Sequence, residues 1–346
     1  MARTKHSRSD GGVAASDHRI PDHDFGGRFA WKKADLKTDD WRVAVTAESL
    51  LELETIASAL PDFGGNIEGL KPDAFHWPAT TEVMSEVKSR LDLGVGFAVL
   101  DRLPAERWAA RTTKAIGWLL TSMLGPIVKQ KLNGVRLYDV RDTGTPLSQG
   151  VRRSITNLEQ EFHTDGGWLP ETPEFIALVC VRQAASGGSS RVASLATAHK
   201  DLYARDPALL VPLYKPLWWD RQSEHEKGEP LCSRRPIYSW DGDRPNVRYY
   251  DDYVRKGHSL MNEQLDERTE AALVALREAM EDPANGFDFL LEPGQVEFAN
   301  NRLIAHARDA FKDGEAGDYA GRLMVRLWVR RSGGLELEPA IVAADA

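Results

Sequence analysis

The 346-residue chain has little cysteine, no long apolar run and no excess of positive charge. Two cysteines, Cys180 and Cys232, are too few for a disulfide framework or a cysteine metal cage, so we expect a reducing, cytoplasmic location. No apolar stretch reaches the length of a membrane span or a secretory signal, so no membrane partner is expected. The formal net charge of -8 argues against a nucleic-acid partner, because such proteins usually present a basic face. A small-molecule partner remains, and a homo-oligomer stays open.

The composition and periodicity predict one α+β domain behind a disordered tail. Residues 1–28 are rich in charged residues, Ser and Gly and poor in apolar residues, which predicts disorder. Residues 29–346 contain no repeat or linker that would divide them. Helical periodicity and capping residues predict helices over four ranges: 46–60, 82–91, 105–125 and 263–280, the last capped by Asn262. Beyond residue 135 short strands dominate, with a hairpin turn at 241–243. This pattern favours helices, concentrated in the N-terminal part, that support a β-sandwich or barrel.

The stretch EFHTDGGW at 161–168 places a histidine two residues before an aspartate. On a β-strand this spacing puts His163 and Asp165 on one face, because successive side chains alternate. The pair is either part of a metal site or an ordinary surface pair. His306 follows the predicted strand QVEFAN and could bring a third ligand to the same place. Two histidines and one carboxylate form the facial triad of non-haem Fe(II) sites, whereas the alternative for His306 is a hydrogen-bonded core histidine.

The other histidines outside the tail have no acidic partner at ligand spacing, and we expect them to lie on the surface: His76, His199, His225 and His258. Cys180 lies within FIALVCV and is expected to be a small buried core residue.

The last predicted strand alternates strictly between arginine-rich and aliphatic positions. In residues 322–330 the arginines share one face with a methionine and a tryptophan, and the other face is entirely aliphatic. The aliphatic face must pack on a core. The arginine face is either solvated or lines an anion-binding pocket. The Met and Trp are unusual on a wet surface, so a pocket in which an arginine fork binds a carboxylate fits this face well.

Six motifs, in this order along the chain, resemble one known family. They are F-H-T-D at 162–165, T-P-E-F-I-A-L-V-C-V-R at 172–182, G-G-S-S-R at 187–191, P-G-Q-V-E-F-A-N-N at 293–301, H-A-R-D-A-F at 306–311 and G-R-L-M-V-R-L-W at 321–328. The chain resembles the TauD/TfdA-type, clavaminate-synthase-like Fe(II)- and 2-oxoglutarate-dependent dioxygenases over about residues 95–332. The resemblance implies a double-stranded β-helix, or jelly-roll, core over that range.

The resemblance assigns roles to individual residues. It implies that His163, Asp165 and His306 hold Fe(II). It also implies that Arg322 binds the far carboxylate of 2-oxoglutarate and that Ser190 makes a second contact with the cosubstrate. Arg326 would reach the other end of the cosubstrate or the substrate, and the division of roles between the two arginines stays open. Residues that flank the triad are candidate substrate contacts: Asn157, Glu159, Glu161 and Trp168.

The implied activity is oxidation of a small molecule with Fe(II), 2-oxoglutarate and O2, the cosubstrate being decarboxylated to succinate. Glu161 would suit an amine and a spare arginine a carboxylate, so an amino acid or derivative is the expected substrate. Asp165 favours hydroxylation over halogenation, since halogenating relatives lack this carboxylate. Desaturation, epoxidation and cyclisation within the family remain alternatives. Two alternatives from other classes also remain. One is a non-catalytic jelly-roll protein that binds a 2-oxo acid, and the other is a zinc-dependent hydrolase.

Overall fold

Two β-sheets, flanked by seven α-helices, form the centre of the protein. The computed structural model describes residues 27–60, 65–146, 151–241, 244–314 and 321–330. The predicted tail at 1–28 lies outside the described residues except for its last two positions. The α+β class predicted from the sequence is confirmed.

The helices occur in two groups, four before residue 123 and three between residues 195 and 281: α1 Thr38–Trp41, α2 Ala47–Ala59, α3 Pro78–Leu93, α4 Ala110–Ser122, α5 Leu195–Arg205, α6 Asp251–Leu260 and α7 Glu267–Glu281. Most of the described helices therefore lie in the N-terminal part, as predicted, and the other three lie within the strand-rich part of the chain.

The strands are short, as expected from the frequent turn signals: β1 Arg42–Ala44, β2 Phe97–Asp101, β3 Ile127–Val128, β4 Tyr138–Val140, β5 Gln160–His163, β6 Phe175–Arg182, β7 Ser186–Gly187, β8 Ser190–Ser194, β9 Leu217–Asp220, β10 Cys232–Arg235, β11 Tyr238–Asp241, β12 Arg244–Val247, β13 Gly286–Phe289, β14 Val296–Asn300, β15 Ile304–Arg308, β16 Phe311–Lys312 and β17 Leu323–Val329. The larger sheet has the order β1-β2-β14-β6-β17-β3, with β4 also paired to β17. The smaller sheet has the order β13-β8-β15-β5.

Local signals in the sequence account for α2. The Thr46 side chain accepts a hydrogen bond from the Ser49 backbone N–H at 3.1 Å, as an N-cap does. Leu53 and Ile56 lie on the buried side of the helix, which matches the helical spacing of the apolar residues. The predicted helix is confirmed to within one residue of its start and end.

The predicted helix at 263–280 is wrong about its first turn. Asn262 does not cap it; its backbone is left-handed, with φ 53°, and lies just after the end of α6. Asp266 is the true N-cap and accepts from the Thr269 N–H at 2.8 Å. The sequence pattern also missed α5 and α6, which start immediately after strand-like or aromatic segments.

The alternation predicted for the last strand is confirmed. Leu323, Val325, Leu327 and Val329 are buried against the helices α2–α4 on the outer face of the larger sheet. The other face of β17 points toward the smaller sheet, and its arginines are buried too. The arginine face is therefore not solvated; it lines the space between the two sheets.

The predicted hairpin is also present, since β11 and β12 pair antiparallel with Asp241 opposite Arg244. Its turn residues 242 and 243 lie outside the described residues. Cys180 and Cys232 are both buried and unpaired, as expected for Cys180. No helix in the described part of the chain is long and apolar enough to span a bilayer.

Candidate active site

The smaller sheet brings the two predicted histidine ligands together. His163 ends β5, His306 lies in β15, and the two residues are direct cross-strand partners with ring centroids 4.2 Å apart. Asp165 lies in the turn that follows β5 rather than on the strand itself. The expectation that both residues of the pair occupy one strand is therefore wrong. Ligand atoms of His163, Asp165 and His306 nevertheless lie within 4.8 Å of one another, and all three residues are buried.

The turn that carries Asp165 is held by Asn301. The Asn301 Oδ1 accepts from the Asp165 backbone N–H at 2.7 Å, and its Nδ2 donates to the Asp165 carbonyl at 3.0 Å. Gly166 adopts φ +67°, and a Cβ there would approach Leu169 to 2.9 Å. The first glycine of the motif is thus required by both backbone conformation and space. A Cβ on Gly167 would meet the Trp219 ring at 2.6 Å, so the second glycine is needed for packing.

Hydrogen bonds orient the His163 ring toward Asp165. The His163 Nδ1 lies 2.9 Å from the Glu161 carbonyl, which can only accept, so this nitrogen carries the proton. The lone pair of Nε2 is then free to bind a metal, and Nε2 lies 3.8 Å from Asp165 Oδ1. In this structure the Gln160 amide donates to Nε2 at 2.9 Å. The Nδ1 of His306 is buried without a hydrogen-bond partner among the described residues.

The electrostatics of the triad favour metal-binding protonation states. Burial lowers the pKa of His163, and burial together with the neighbouring His163 lowers the pKa of His306 to about 3. Burial alone would raise the pKa of Asp165, but the Arg326 guanidinium, together with the hydrogen bond from Trp328, opposes it and holds the pKa below its usual range. Both histidines are therefore neutral and the aspartate is ionised at neutral pH, as metal ligands must be.

This donor set fits Fe(II). Two imidazoles and one carboxylate occupy three coordination positions and leave the others open. Iron bound there would supply the open positions at which a 2-oxo acid and O2 can react. The chain's part is to hold the three ligands close together in a buried, correctly protonated cluster.

Arg326 reaches the metal site from the opposite sheet. Its Nη1 donates to Asp165 Oδ1 at 2.9 Å, and its Nε donates to Gln130 Oε1 at 2.8 Å. The Gln130 amide in turn donates to the Arg326 backbone carbonyl at 2.8 Å. Trp328, next on the same face of β17, donates from Nε1 to Asp165 Oδ2 at 2.8 Å. Arg326 and Trp328 thus position the carboxylate ligand, a role that the sequence pattern did not indicate.

Arg322 lies in a second buried group between the sheets. Its side chain is 3% exposed, and its Nε and Nη1 have no hydrogen-bond partner among the described residues. A Cβ on Gly188 would lie 3.2 Å from Arg322 Nε, so this glycine lets the guanidinium approach the backbone. Ser190 is buried at the start of β8. The adjacent Glu297 of β14 is buried as well, and sequence reasoning did not single it out.

A partly open cavity adjoins the metal ligands. His163, Asp165 and Arg326 line it, and so does Trp168, as predicted. Three other predicted substrate contacts do not: the side chains of Asn157, Glu159 and Glu161 are exposed on the surface. Glu161 takes part only through its backbone carbonyl, because the end of β5 turns its side chain outward. The Glu161 carboxylate therefore does not line the cavity.

Several lining residues were not foreseen from the sequence. They are Arg152, Arg153, Tyr250 and Tyr253. None lies at a recognisable spacing from the ligands, so no local pattern could have identified them.

Two of the histidines expected on the surface are buried. His199 is 3% exposed and its Nε2 lies 2.8 Å from the Tyr214 hydroxyl. His258 is 6% exposed and its Nε2 accepts from the Trp218 N–H at 3.3 Å. His76 is exposed and His225 is half-buried. The helices that carry His199 and His258 were not predicted, which is why their buried faces were missed.

Two curated relatives cover most of the chain. FR-33289 synthase from Streptomyces rubellomurinus is 25% identical over 320 residues, which is 91% of this chain and 93% of the relative. A taurine hydroxylase-like protein from Stachybotrys chartarum is 23% identical over 300 residues, 84% of this chain and 75% of the relative.

Solved structures show the same fold. An asparagine oxygenase in complex with Fe(II), 2S,3S-3-hydroxyasparagine and succinate superimposes with a TM-score of 0.66 at 20% identity, covering 84% of this chain and 93% of that one. The non-haem iron oxygenase OrfP in complex with Fe and α-ketoglutaric acid gives a TM-score of 0.63 at 14% identity, covering 84% and 94%. The jelly-roll core implied by the sequence motifs is therefore confirmed.

The sequence profile of the family described as "Taurine catabolism dioxygenase TauD, TfdA family" matches residues 65–328. That span contains all three predicted metal ligands, Arg322 and Arg326. The chain belongs to the TauD/TfdA family and is an Fe(II)- and 2-oxoglutarate-dependent dioxygenase that uses O2.

Proposed function

We propose that this enzyme hydroxylates a C–H bond of a small molecule with an anionic group, such as an amino acid or a derivative of one. The main observation behind this proposal is the position of Arg326. Its guanidinium lines the cavity and lies 2.9 Å from the carboxylate of Asp165, one of the proposed metal ligands. A substrate carboxylate held there would place its neighbouring carbon atoms beside the metal. Positioning of this kind is a large part of what such a site contributes to the rate.

In this proposal His163, Asp165 and His306 hold Fe(II), and Arg322 binds the far carboxylate of 2-oxoglutarate. Two of the Arg322 nitrogens, Nε and Nη1, are buried without partners among the described residues. A guanidinium fork matches a carboxylate with two parallel hydrogen bonds, so the cosubstrate would satisfy donors that the protein leaves unsatisfied. Ser190 lies in the same buried group and supplies a further contact.

The rest of the cavity favours an acid as substrate. Arg152 and Arg153 line it together with Arg326, and Asp165 is the only carboxylate among its described lining residues. Arg152 is held by an ion pair with Glu224 at 2.6 Å and lies over the Trp168 ring at 5.6 Å from its centroid. A positively charged lining raises the local concentration of anionic substrates.

The aromatic part of the lining would exclude water around the bound substrate. Tyr250 and Tyr253 contact each other with ring centroids 4.1 Å apart, and Tyr250 also lies 5.0 Å from the His163 ring. Burial raises the pKa of both tyrosine hydroxyls. They therefore stay neutral and can donate hydrogen bonds to an anion without adding charge.

The relatives support this substrate class. The structures of asparagine oxygenase and of OrfP contain a 3-hydroxylated asparagine and a 3-hydroxylated arginine, respectively. Both ligands are amino acids.

The other reading of the site as a hydrolase fits the structure less well. A metal-activated water needs no buried carboxylate clamp, whereas Arg322 offers one. Desaturation, epoxidation and cyclisation would use the same residues and differ from hydroxylation in the composition of the product.

The proposal is tested first without substrate. Fe(II) and then 2-oxoglutarate are added to the protein under anaerobic conditions, and the weak visible charge-transfer band of the chelated keto acid is recorded. If iron binds but the charge-transfer band does not appear, the proposal is overturned. Acids with and without an amino group are then screened as substrates by measuring O2 consumption. Labelled O2 shows whether one of its oxygen atoms enters the product, which hydroxylation and epoxidation require and desaturation and cyclisation do not.

The predicted cytoplasmic location stays a prediction.

A further inference from the structure

Glu297 is a buried carboxylate that the proposed function does not use. It lies in β14 near the middle of the larger sheet and is 1% exposed. Neither of its carboxylate oxygens makes a regular hydrogen bond within the described residues. An ionised carboxylate in such a place is strongly destabilised unless a positive charge is near. Its position therefore calls for a partner.

The strand register shows where Glu297 points. Glu297 pairs with Leu178 of β6, and Leu178 pairs with Arg326 of β17. Cross-strand partners share a face of the sheet, so Glu297 projects from the same face as Arg326, toward the smaller sheet. Its neighbours Val296 and Phe298 project the other way, into the core beneath the helices. Glu297 thus faces the space in which Arg322 and Ser190 lie.

Arg322 is the charged group that acts on Glu297. The β14 strand lies between β2 and β6, and the partners of Glu297 on them, Val99 and Leu178, are apolar. Strand β6 contributes one titratable group near Arg322, the thiol of Cys180. This thiol stays neutral because burial raises its pKa to about 12. From β8 the Ser190 hydroxyl faces Glu297.

Other charges act on Arg322 rather than on Glu297. One is Asp313, whose carboxylate accepts a hydrogen bond from the Arg322 backbone N–H at 2.7 Å. The other is Arg308 of β15. Burial raises the pKa of Glu297 to about 7, although Ser190 and Arg322 oppose the shift. Near neutral pH this carboxyl group can therefore gain or lose a proton.

We propose that Glu297 is a proton-linked positioning residue for 2-oxoglutarate. It balances the charge of Arg322 when the cosubstrate is absent, and it takes up one proton from solvent when the far carboxylate of 2-oxoglutarate binds Arg322. This inference rests on the role proposed for Arg322. No other bond forms or breaks in the step, and the charge of the buried group is the same before and after binding.

The physical reason is that two ionised carboxylates would otherwise share one buried guanidinium. A like charge at short range raises the pKa of a carboxyl group, and it does so most where water is excluded. Binding of the cosubstrate would therefore drive protonation of Glu297. The protonated group can then donate a hydrogen bond to the carboxylate that displaced it, as an ionised Glu297 could not.

Linkage gives the expected pH dependence. Below about pH 7 Glu297 is already protonated in the free enzyme and the affinity for 2-oxoglutarate is nearly constant. Above that pH each binding event must take up a proton, so the dissociation constant rises by up to about tenfold per pH unit. Glu297→Gln is permanently neutral and retains a hydrogen-bond donor. It should bind 2-oxoglutarate with a flat profile and more tightly than the wild type at high pH.

The test combines two measurements on the anaerobic Fe(II) enzyme. The charge-transfer band gives the dissociation constant of 2-oxoglutarate from about one pH unit below to about two units above neutrality. Calorimetry in two buffers of different ionisation enthalpy counts the protons taken up on binding. Protons exchanged at the metal ligands are common to wild type and variant, so the difference between wild type and Glu297→Gln isolates Glu297.

Cys180→Ala is the matched control, since it removes the other titratable group beside Arg322 and should leave the wild-type profile and proton count unchanged. The inference is overturned if Glu297→Gln keeps the pH slope of the wild type, or if the wild type takes up no proton above neutrality. The second result decides the question even if Glu297→Gln does not fold. Absence of a charge-transfer band in the wild type at every pH would instead refute the proposed function.

Discussion

Replacing Arg322 by alanine should weaken 2-oxoglutarate binding by about 10²- to 10⁴-fold and leave Fe(II) binding intact. The magnitude follows from the two buried donors, Nε and Nη1, that have no partner among the described residues. A hydrogen bond to a charged group contributes roughly 1.5–3 kcal/mol, so two contribute about 3–6 kcal/mol. At about 1.4 kcal/mol per tenfold change in affinity, this corresponds to the stated range.

The variant should fold, because the described structure shows no ion pair or side-chain hydrogen bond of the Arg322 guanidinium, and Glu297, which loses the nearby positive charge, can become protonated instead. The Arg322 guanidinium lies over the Phe311 ring, 5.3 Å from the ring centroid. Arg322→Lys keeps the charge but not the planar fork, and should fall between wild type and alanine. Arg205→Ala removes an exposed arginine paired with Glu278 and serves as the control without effect.

The assay is the anaerobic charge-transfer titration of 2-oxoglutarate at saturating Fe(II), with metal content measured separately. If Arg326→Ala loses the cosubstrate while Arg322→Ala binds it normally, the two arginines have exchanged roles. If neither variant changes the dissociation constant, the carboxylate clamp lies elsewhere and the reasoning from unsatisfied donors is refuted.

Four further substitutions test the metal site and a buried histidine. His163→Ala or His306→Ala should bind little or no Fe(II) by metal analysis and lose turnover, and full activity in either would remove the triad. Asp165→Gly should open a coordination position and abolish hydroxylation; wild-type turnover would mean that the carboxylate is not a ligand. Burial lowers the pKa of His199 to about 4, below the value near 6.5 of an unfolded histidine. The unfolded chain therefore binds more protons between these values, and the free energy of unfolding should fall by up to about 3 kcal/mol as the pH drops from 6.5 to 4. Urea denaturation of wild type and His199→Gln at about pH 7 and about pH 4.5 measures this loss as the difference between the two proteins, because the buried His163, His258 and His306 are common to both.

Local patterns predicted the elements that obey a short period. The Thr46 cap and the spacing of Leu53 and Ile56 specified α2, and the strict alternation along 322–330 specified β17 with its two faces. Such features depend on residues only a few positions apart, and the backbone geometry of a helix or strand converts that spacing into a common face. Where the periods were less regular, at α5 and α6, the sequence pattern did not identify the helices.

Side-chain direction at the ends of elements was less predictable. Glu161 and Trp168 both flank the ligand pair, yet the first is exposed and the second lines the cavity. The difference arises because β5 ends at His163 and the chain then turns. No two-residue period applies across that point.

The amino-acid sequence by itself determined which chemical groups are available to this protein. They are two histidines, one aspartate and a strand rich in arginine, in the order that the TauD/TfdA family uses. Only the tertiary structure decided how they work together. Asn301 holds the Asp165 turn across 136 residues of chain, and Gln130 holds Arg326 across 196. Glu297 faces Arg322 only because both side chains project from the larger sheet into the space between the two sheets. Contacts between residues so far apart depend on how whole sheets pack, and burial between the sheets sets the protonation state of each group.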